Sequence, residues 1–212
     1  MKRLVLILAV CLVSVICLAP CVRADTMTFD LNTGSTLPNA DYGSVKLTLN
    51  ASNGIDMQVN LTDSGAKIVN TGFPYSFAFN MVNPDVQIGV SGLPATYSLV
   101  NSGNPSAQGM DGFGTFEYGV VFNAQGGGAG TDSVLTFTVT RAGGFSSVAQ
   151  LVEDSTHPPG DITSPFAVDV IYHEATGVIG TTAAPVPEPA TILLFGSGLL
   201  VMAGRLRKKF RK

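Results

Sequence analysis

Val45-Lys46-Leu47-Thr48-Leu49-Asn50-Ala51-Ser52-Asn53-Gly54-Ile55-Asp56-Met57-Gln58-Val59-Asn60-Leu61 is the stretch that decides the fold. Val45, Leu47 and Leu49 alternate with Lys46 and Thr48, and Ile55, Met57, Val59 and Leu61 alternate with Asp56, Gln58 and Asn60. A period of two places every apolar side chain on one face of a strand and every polar one on the other. Between the runs, Ser52-Asn53-Gly54 is a turn signal, because Asn and Gly tolerate the positive φ that a tight hairpin turn needs. The stretch reads as an antiparallel hairpin with one buried and one wet face.

Outward from this hairpin the pattern recurs. Strand-like runs cover residues 26–31, 75–81, 86–90, 96–100, 115–123, 134–140 and 166–172, with Gly, Pro, Asn, Asp or Ser between them. No run has the spacing of a useful amphipathic helix. The expected fold is all-β: an antiparallel, jelly-roll-like β-sandwich over residues 25–180, long enough for a core of its own. The glycine-rich residues 126–130 read as a loop and residues 181–185 as a linker.

The 212 residues include 13% charged side chains, against a usual share of about a quarter. The formal charge of −3 hides an asymmetry. Lys2, Arg3 and Arg23 sit at one end, and Arg205, Arg207, Lys208, Lys209, Arg211 and Lys212 at the other. Residues 25–174 carry fourteen acidic groups against Lys46, Lys67 and Arg141, a net charge of −11. This excludes a nucleic-acid-binding body, and the composition excludes a coiled coil or a charge-rich disordered chain.

Each end is an addressing segment. Lys2 and Arg3 precede an apolar run at 4–18, interrupted only by Ser14, and Val22-Arg23-Ala24 ends on a small residue. Residues 1–24 are expected to be a signal peptide that signal peptidase removes between Ala24 and Asp25. The run is short for an anchor, which needs about 20 apolar residues, and Pro20 fits poorly before Cys21 as a lipoprotein site. Cys11, Cys17 and Cys21 would leave with the peptide, and with them disulfides, thiolate metal sites and Cys nucleophiles. At the other end, residues 190–204 are apolar or small apart from Thr191 and Ser197, and read as a short hydrophobic sorting helix. The basic residues 205–212 behind it read as a stop-transfer tail that stays cytoplasmic. Pro187 and Pro189 bracket Glu188 and hold the chain before them extended, the form in which a processing enzyme binds a peptide.

The order V-P-E-P-A-T-I-L-L-F-G-S-G-L-L-V-M-A-G-R-L-R-K-K, from Val186 onward, resembles the PEP-CTERM sorting signal. The resemblance covers about 27 residues ending at Lys212, and the order and spacing of its three parts make it specific. It implies Pro187, Glu188 and Pro189 as the element recognised by exosortase, a multi-spanning membrane transpeptidase of Gram-negative bacteria. It implies a passing stay in the inner membrane and then the cell surface or extracellular matrix. Bodies ahead of such signals are diverse, and many occur in bacteria that make exopolysaccharide and belong to surface or biofilm matrix. Phe166 to Tyr172 and Thr176 to Gly180 are similar to the ending of many such bodies, a weaker resemblance that implies no activity.

Chemistry-bearing residues in the body have duller readings. Residues 127–135 fit one copy of G-G-x-G-x-D-x-U-x, which makes Asp132 a weak calcium candidate, but a β-roll shares each ion between successive copies. Asp111, Glu153, Asp154 and Asp161 are scattered acids that could form another loop site. Ser64 and Lys67 fit S-x-x-K without its partner motifs. His157 and His173 supply only part of a zinc site. Glu117 with Glu153 or Glu174 could form a glycosidase pair, as could many pairs in an acidic chain. A sugar site usually offers a flat aromatic; there is no Trp, which leaves Tyr42, Tyr75, Tyr97, Tyr118 and Tyr172. The expectation is an exported, non-enzymatic surface or matrix protein, linked to exopolysaccharide or biofilm, with no cofactor and no catalytic residue. Two alternatives stay open: a carbohydrate-binding β-sandwich module and a glycan hydrolase.

Overall fold

The computed structural model describes residues 25–83, 87–100, 107–126, 132–156, 162–181 and 186–187. The strands in chain order are β1 (Thr26–Leu31), β2 (Thr33–Gly34), β3 (Gly43–Leu49), β4 (Ile55–Leu61) and β5 (Ala66–Ile68). Next come β6 (Phe77–Phe79), β7 (Ile88–Ser91), β8 (Tyr97–Val100), β9 (Gln108–Gly109) and β10 (Thr115–Phe116). The last five are β11 (Tyr118–Phe122), β12 (Val134–Arg141), β13 (Phe166–Tyr172), β14 (Ala175–Gly180) and β15 (Val186–Pro187). A single 3₁₀ turn, Val148–Leu151, is the one helical element among the described residues.

These strands form two antiparallel sheets and a small ribbon. Sheet I has the order β15-β1-β3-β4-β12-β7 and sheet II the order β2-β14-β13-β6-β11-β8, with β5 also on β13. The chain crosses between sheets repeatedly, as a jelly-roll-like sandwich does, while the β3–β4 and β13–β14 hairpins stay within one sheet.

The β3–β4 hairpin has the expected register, from Gly43↔Leu61 to Leu49↔Ile55. Val45, Leu47, Ile55, Met57, Val59 and Leu61 are buried, and Asp56 and Gln58 exposed. The turn is built differently from the simple Asn-Gly expectation. Asn53 alone of the pair takes a positive φ, 58°. The Asn50 side-chain oxygen accepts the Ser52 and Gly54 N–H groups, both at 3.0 Å. Gly54 is needed for space: a Cβ there would stand 2.9 Å from Thr138 Cγ2 and 3.1 Å from Asn50 Nδ2.

The two sheets pack face to face on a core of aromatic rings. Phe29 of sheet I meets Phe166 of sheet II edge-on at 5.0 Å, and Phe77 meets Phe137 at 6.1 Å. Phe77 also stacks on Phe79 and Phe166. Burying such a side chain stabilises the fold by ~1.5–3 kcal/mol.

The sheets differ in their outer faces. Sheet II is covered a second time, by a smaller cluster of Tyr75, Ala78, Met110, Phe113, Phe116, Ala167 and Val178. Its strands are therefore buried on both faces: β6 throughout, and β13 from Phe166 to Val170. On sheet I, β4 keeps its alternation and one wet face.

Several expected strands shift. The 115–123 run splits at Glu117 into β10 and β11, the 75–81 run shrinks to β6, and of the 86–90 run, whose Val86 lies outside the described residues, β7 takes in Ile88 to Val90. Sequence reading does not find β5 or β14. β14 includes Gly177 and Gly180, and a Cβ on Gly180 would stand 2.5 Å from the Phe113 ring. The body continues to Thr181, which is fully buried and donates its N–H to Ser164 Oγ at 2.9 Å.

One edge of β13 is shared by two short strands. β5 pairs with it from Ala66↔Tyr172 to Ile68↔Val170, and β6 from Phe77↔Val168 to Phe79↔Phe166. Between them residues 69–76 leave the sheet and return. Asp169 stands at the break. Its C=O accepts the Val69 N–H at 3.0 Å, and its N–H donates to the Ser76 C=O at 2.9 Å. Its side chain reaches into the excursion: Oδ2 accepts the Thr71 N–H at 2.7 Å and the Thr71 hydroxyl at 2.8 Å.

Candidate functional site

The sorting element meets the body at β15. Val186–Pro187 forms the edge of sheet I and pairs antiparallel with β1, Thr28 opposite Val186 and Met27 opposite Pro187. Pro lacks an N–H and is tolerated at such an edge. Glu188, Pro189, the apolar segment 190–204 and the basic residues Arg205, Arg207, Lys208, Lys209, Arg211 and Lys212 lie outside the described residues, as do residues 1–24, the expected signal peptide with Ala24. Asp25, on the far side of the expected cut, is tied into the body. Its carboxylate accepts from Ser147 Oγ at 2.5 Å and Val148 N–H at 3.0 Å, and its C=O accepts from Leu49 N–H at 2.8 Å.

The wet face of sheet I holds a groove of about 530 Å³. Alternation places its side chains and antiparallel register aligns them in two rows. One row runs Lys46, Gln58, Thr136 across β3, β4 and β12; the other runs Thr48, Asp56, Thr138, Ser91 and reaches β7. Asp56 is fixed in place, since its Oδ1 accepts from Thr138 Oγ1 at 2.7 Å and Asn50 Nδ2 at 2.8 Å. The rows combine hydroxyls, an amide, one carboxylate and one ammonium. Their polar positions are visible in the sequence as the wet half of each alternation. That β12 lies beside β4, and β7 beside β12, is not.

Other sequence candidates are dispersed. Asp132 forms a bridge with Ile68, and its carboxylate lies beside the Tyr97 hydroxyl; burial first, and then that charge, push the hydroxyl up. Among the described residues no group of three His, Cys, Asp or Glu could hold a metal ion. Ser64 lies in a turn and Lys67 on a strand, so the S-x-x-K spacing does not put them on a helical face. His173 sits in the β13–β14 turn, edge-on to Tyr172 at 4.3 Å, while His157 and Asp161 lie outside the described residues.

Glu117 and Glu153 are near enough for one charge to act on the other. Burial, and then the charge of Glu153, hold the Glu117 carboxyl above its ordinary range. Glu174 is in the turn after Tyr172, at the opposite end of β13 from Phe166, which shares Phe79 as a partner with Tyr118. The tyrosines offer no sugar platform: Tyr42, Tyr75, Tyr97 and Tyr118 are buried, and Tyr172 is half-buried against Tyr42. Their rings fill the interior.

Among curated proteins and solved structures, none matches the chain. Residues 185–208 match the family model of the PEP-CTERM protein-sorting motif. The chain therefore carries this sorting motif, the mark of an exported protein handled by an exosortase-like membrane enzyme.

Proposed function

We propose that this is a non-enzymatic protein of the Gram-negative cell surface or extracellular matrix, linked to exopolysaccharide or biofilm. Signal peptidase releases it after Ala24, the apolar segment 190–204 halts it in the inner membrane, and the enzyme reads Pro187, Glu188 and Pro189. The observation that carries this reading is the motif at residues 185–208. The residues singled out are acted upon, and the body is the cargo.

The test follows the precursor in cells. Glu188→Ala, or deletion of residues 205–212, is expected to leave the precursor in the inner membrane. A surface form of unchanged size and yield in both variants overturns the reading. Glycan cleavage by the purified protein, lost on changing one carboxylate, would replace the non-enzymatic reading with that of a hydrolase.

A further inference from the structure

We infer that the groove on the wet face of sheet I binds a neutral, extended polysaccharide chain, laid across the strands. Three observations point there. Part of sheet II's outer face is covered by a second apolar cluster, while among the described residues none covers the groove on sheet I. The groove's polar groups recur strand by strand, Thr48, Asp56, Thr138 and Ser91 in one row and Gln58 and Thr136 in the next. Neighbouring strands stand about 4.8 Å apart, a step similar to the advance of one pyranose ring in an extended chain. A chain crossing the strands would meet a hydrogen-bonding group at each ring.

Charge selects among polymers. The groove brings one carboxylate and one ammonium, which cancel, and residues 25–174 together carry a net −11. A polyanion is repelled by such a field, and a neutral hydroxylated chain is not. Asp56 is already held by Thr138 and Asn50, so ordering it costs little when a ligand arrives.

Only the setting, a polysaccharide matrix, rests on the proposed function. Binding is read in vitro and sorting in cells, so either can fail alone. The full chain, purified in mild detergent, is titrated with cellohexaose, β-1,4-mannohexaose and polygalacturonate. At least one neutral chain is expected to bind and polygalacturonate is not. Gln58→Ala with Thr136→Val, two exposed positions in register, is expected to weaken binding about tenfold or more, as the loss of two hydrogen-bonding groups implies. Ser91→Ala on the other row is a second variant, with the unfolding midpoint of each as the control. No binding by either neutral chain, equal binding of polygalacturonate, or unchanged binding by both well-folded variants overturns the inference.

Discussion

Asp169→Asn isolates the energetic consequence of a carboxylate built into the centre of sheet II. Asp169 is fully buried; Oδ2 accepts two bonds from Thr71, and Oδ1 has no hydrogen-bond partner. Burial pushes its carboxyl from 3.8 up to about 6, against the two Thr71 bonds, which pull it down. The folded state therefore holds the proton more tightly than the unfolded one. Stability from this group is fully present below the unfolded value and is lost as pH rises through the folded value. At about 1.4 kcal/mol per unit, the loss between pH 4 and pH 7 is roughly 2–3 kcal/mol.

Asn keeps an oxygen for Thr71 and cannot ionise. Its own cost, including an amide N–H without an acceptor, does not change with pH. Urea unfolding of both proteins at pH 4 and pH 7 gives a double difference in which that cost cancels, along with every other titrating group. The variant is expected to gain roughly 2–3 kcal/mol on the wild type between the two values. Parallel pH dependence in the two proteins refutes the assignment of a buried, proton-retaining carboxylate.

Three further outcomes are expected. His173 and Glu174 form a two-residue turn with φ of 46° and 69°, so Glu174→Gly should stabilise by about 0.5–1 kcal/mol in equilibrium unfolding. Asp25→Ala removes the acceptor of Ser147 Oγ and Val148 N–H and should cost about 1–2 kcal/mol, read by the same measurement. Thr28→Cys with Val186→Cys should form a disulfide in the exported chain, because opposed residues of an antiparallel pair lie within bonding range; non-reducing electrophoresis reads it, and a one-residue offset pair should not cross-link.

The sequence by itself determined the parts of this protein that are linear. Alternation from Val45 to Leu61 specifies a hairpin with its buried and wet faces, because side-chain direction in a strand is local. The sorting motif is legible for a related reason: it is one contiguous run at residues 185–208, so the order of residues is itself the signal. Where a strand is buried on both faces, alternation vanishes, and β14 with its two glycines offers no pattern to find. Only the tertiary structure decided that Tyr42, Tyr75, Tyr97 and Tyr118 fill the interior, that Asp169 grips Thr71 from 98 residues away, and that Gln58 stands beside Thr136. Beyond a hairpin, strand pairing joins residues far apart in the chain, and a local pattern carries no record of which distant strand lies alongside.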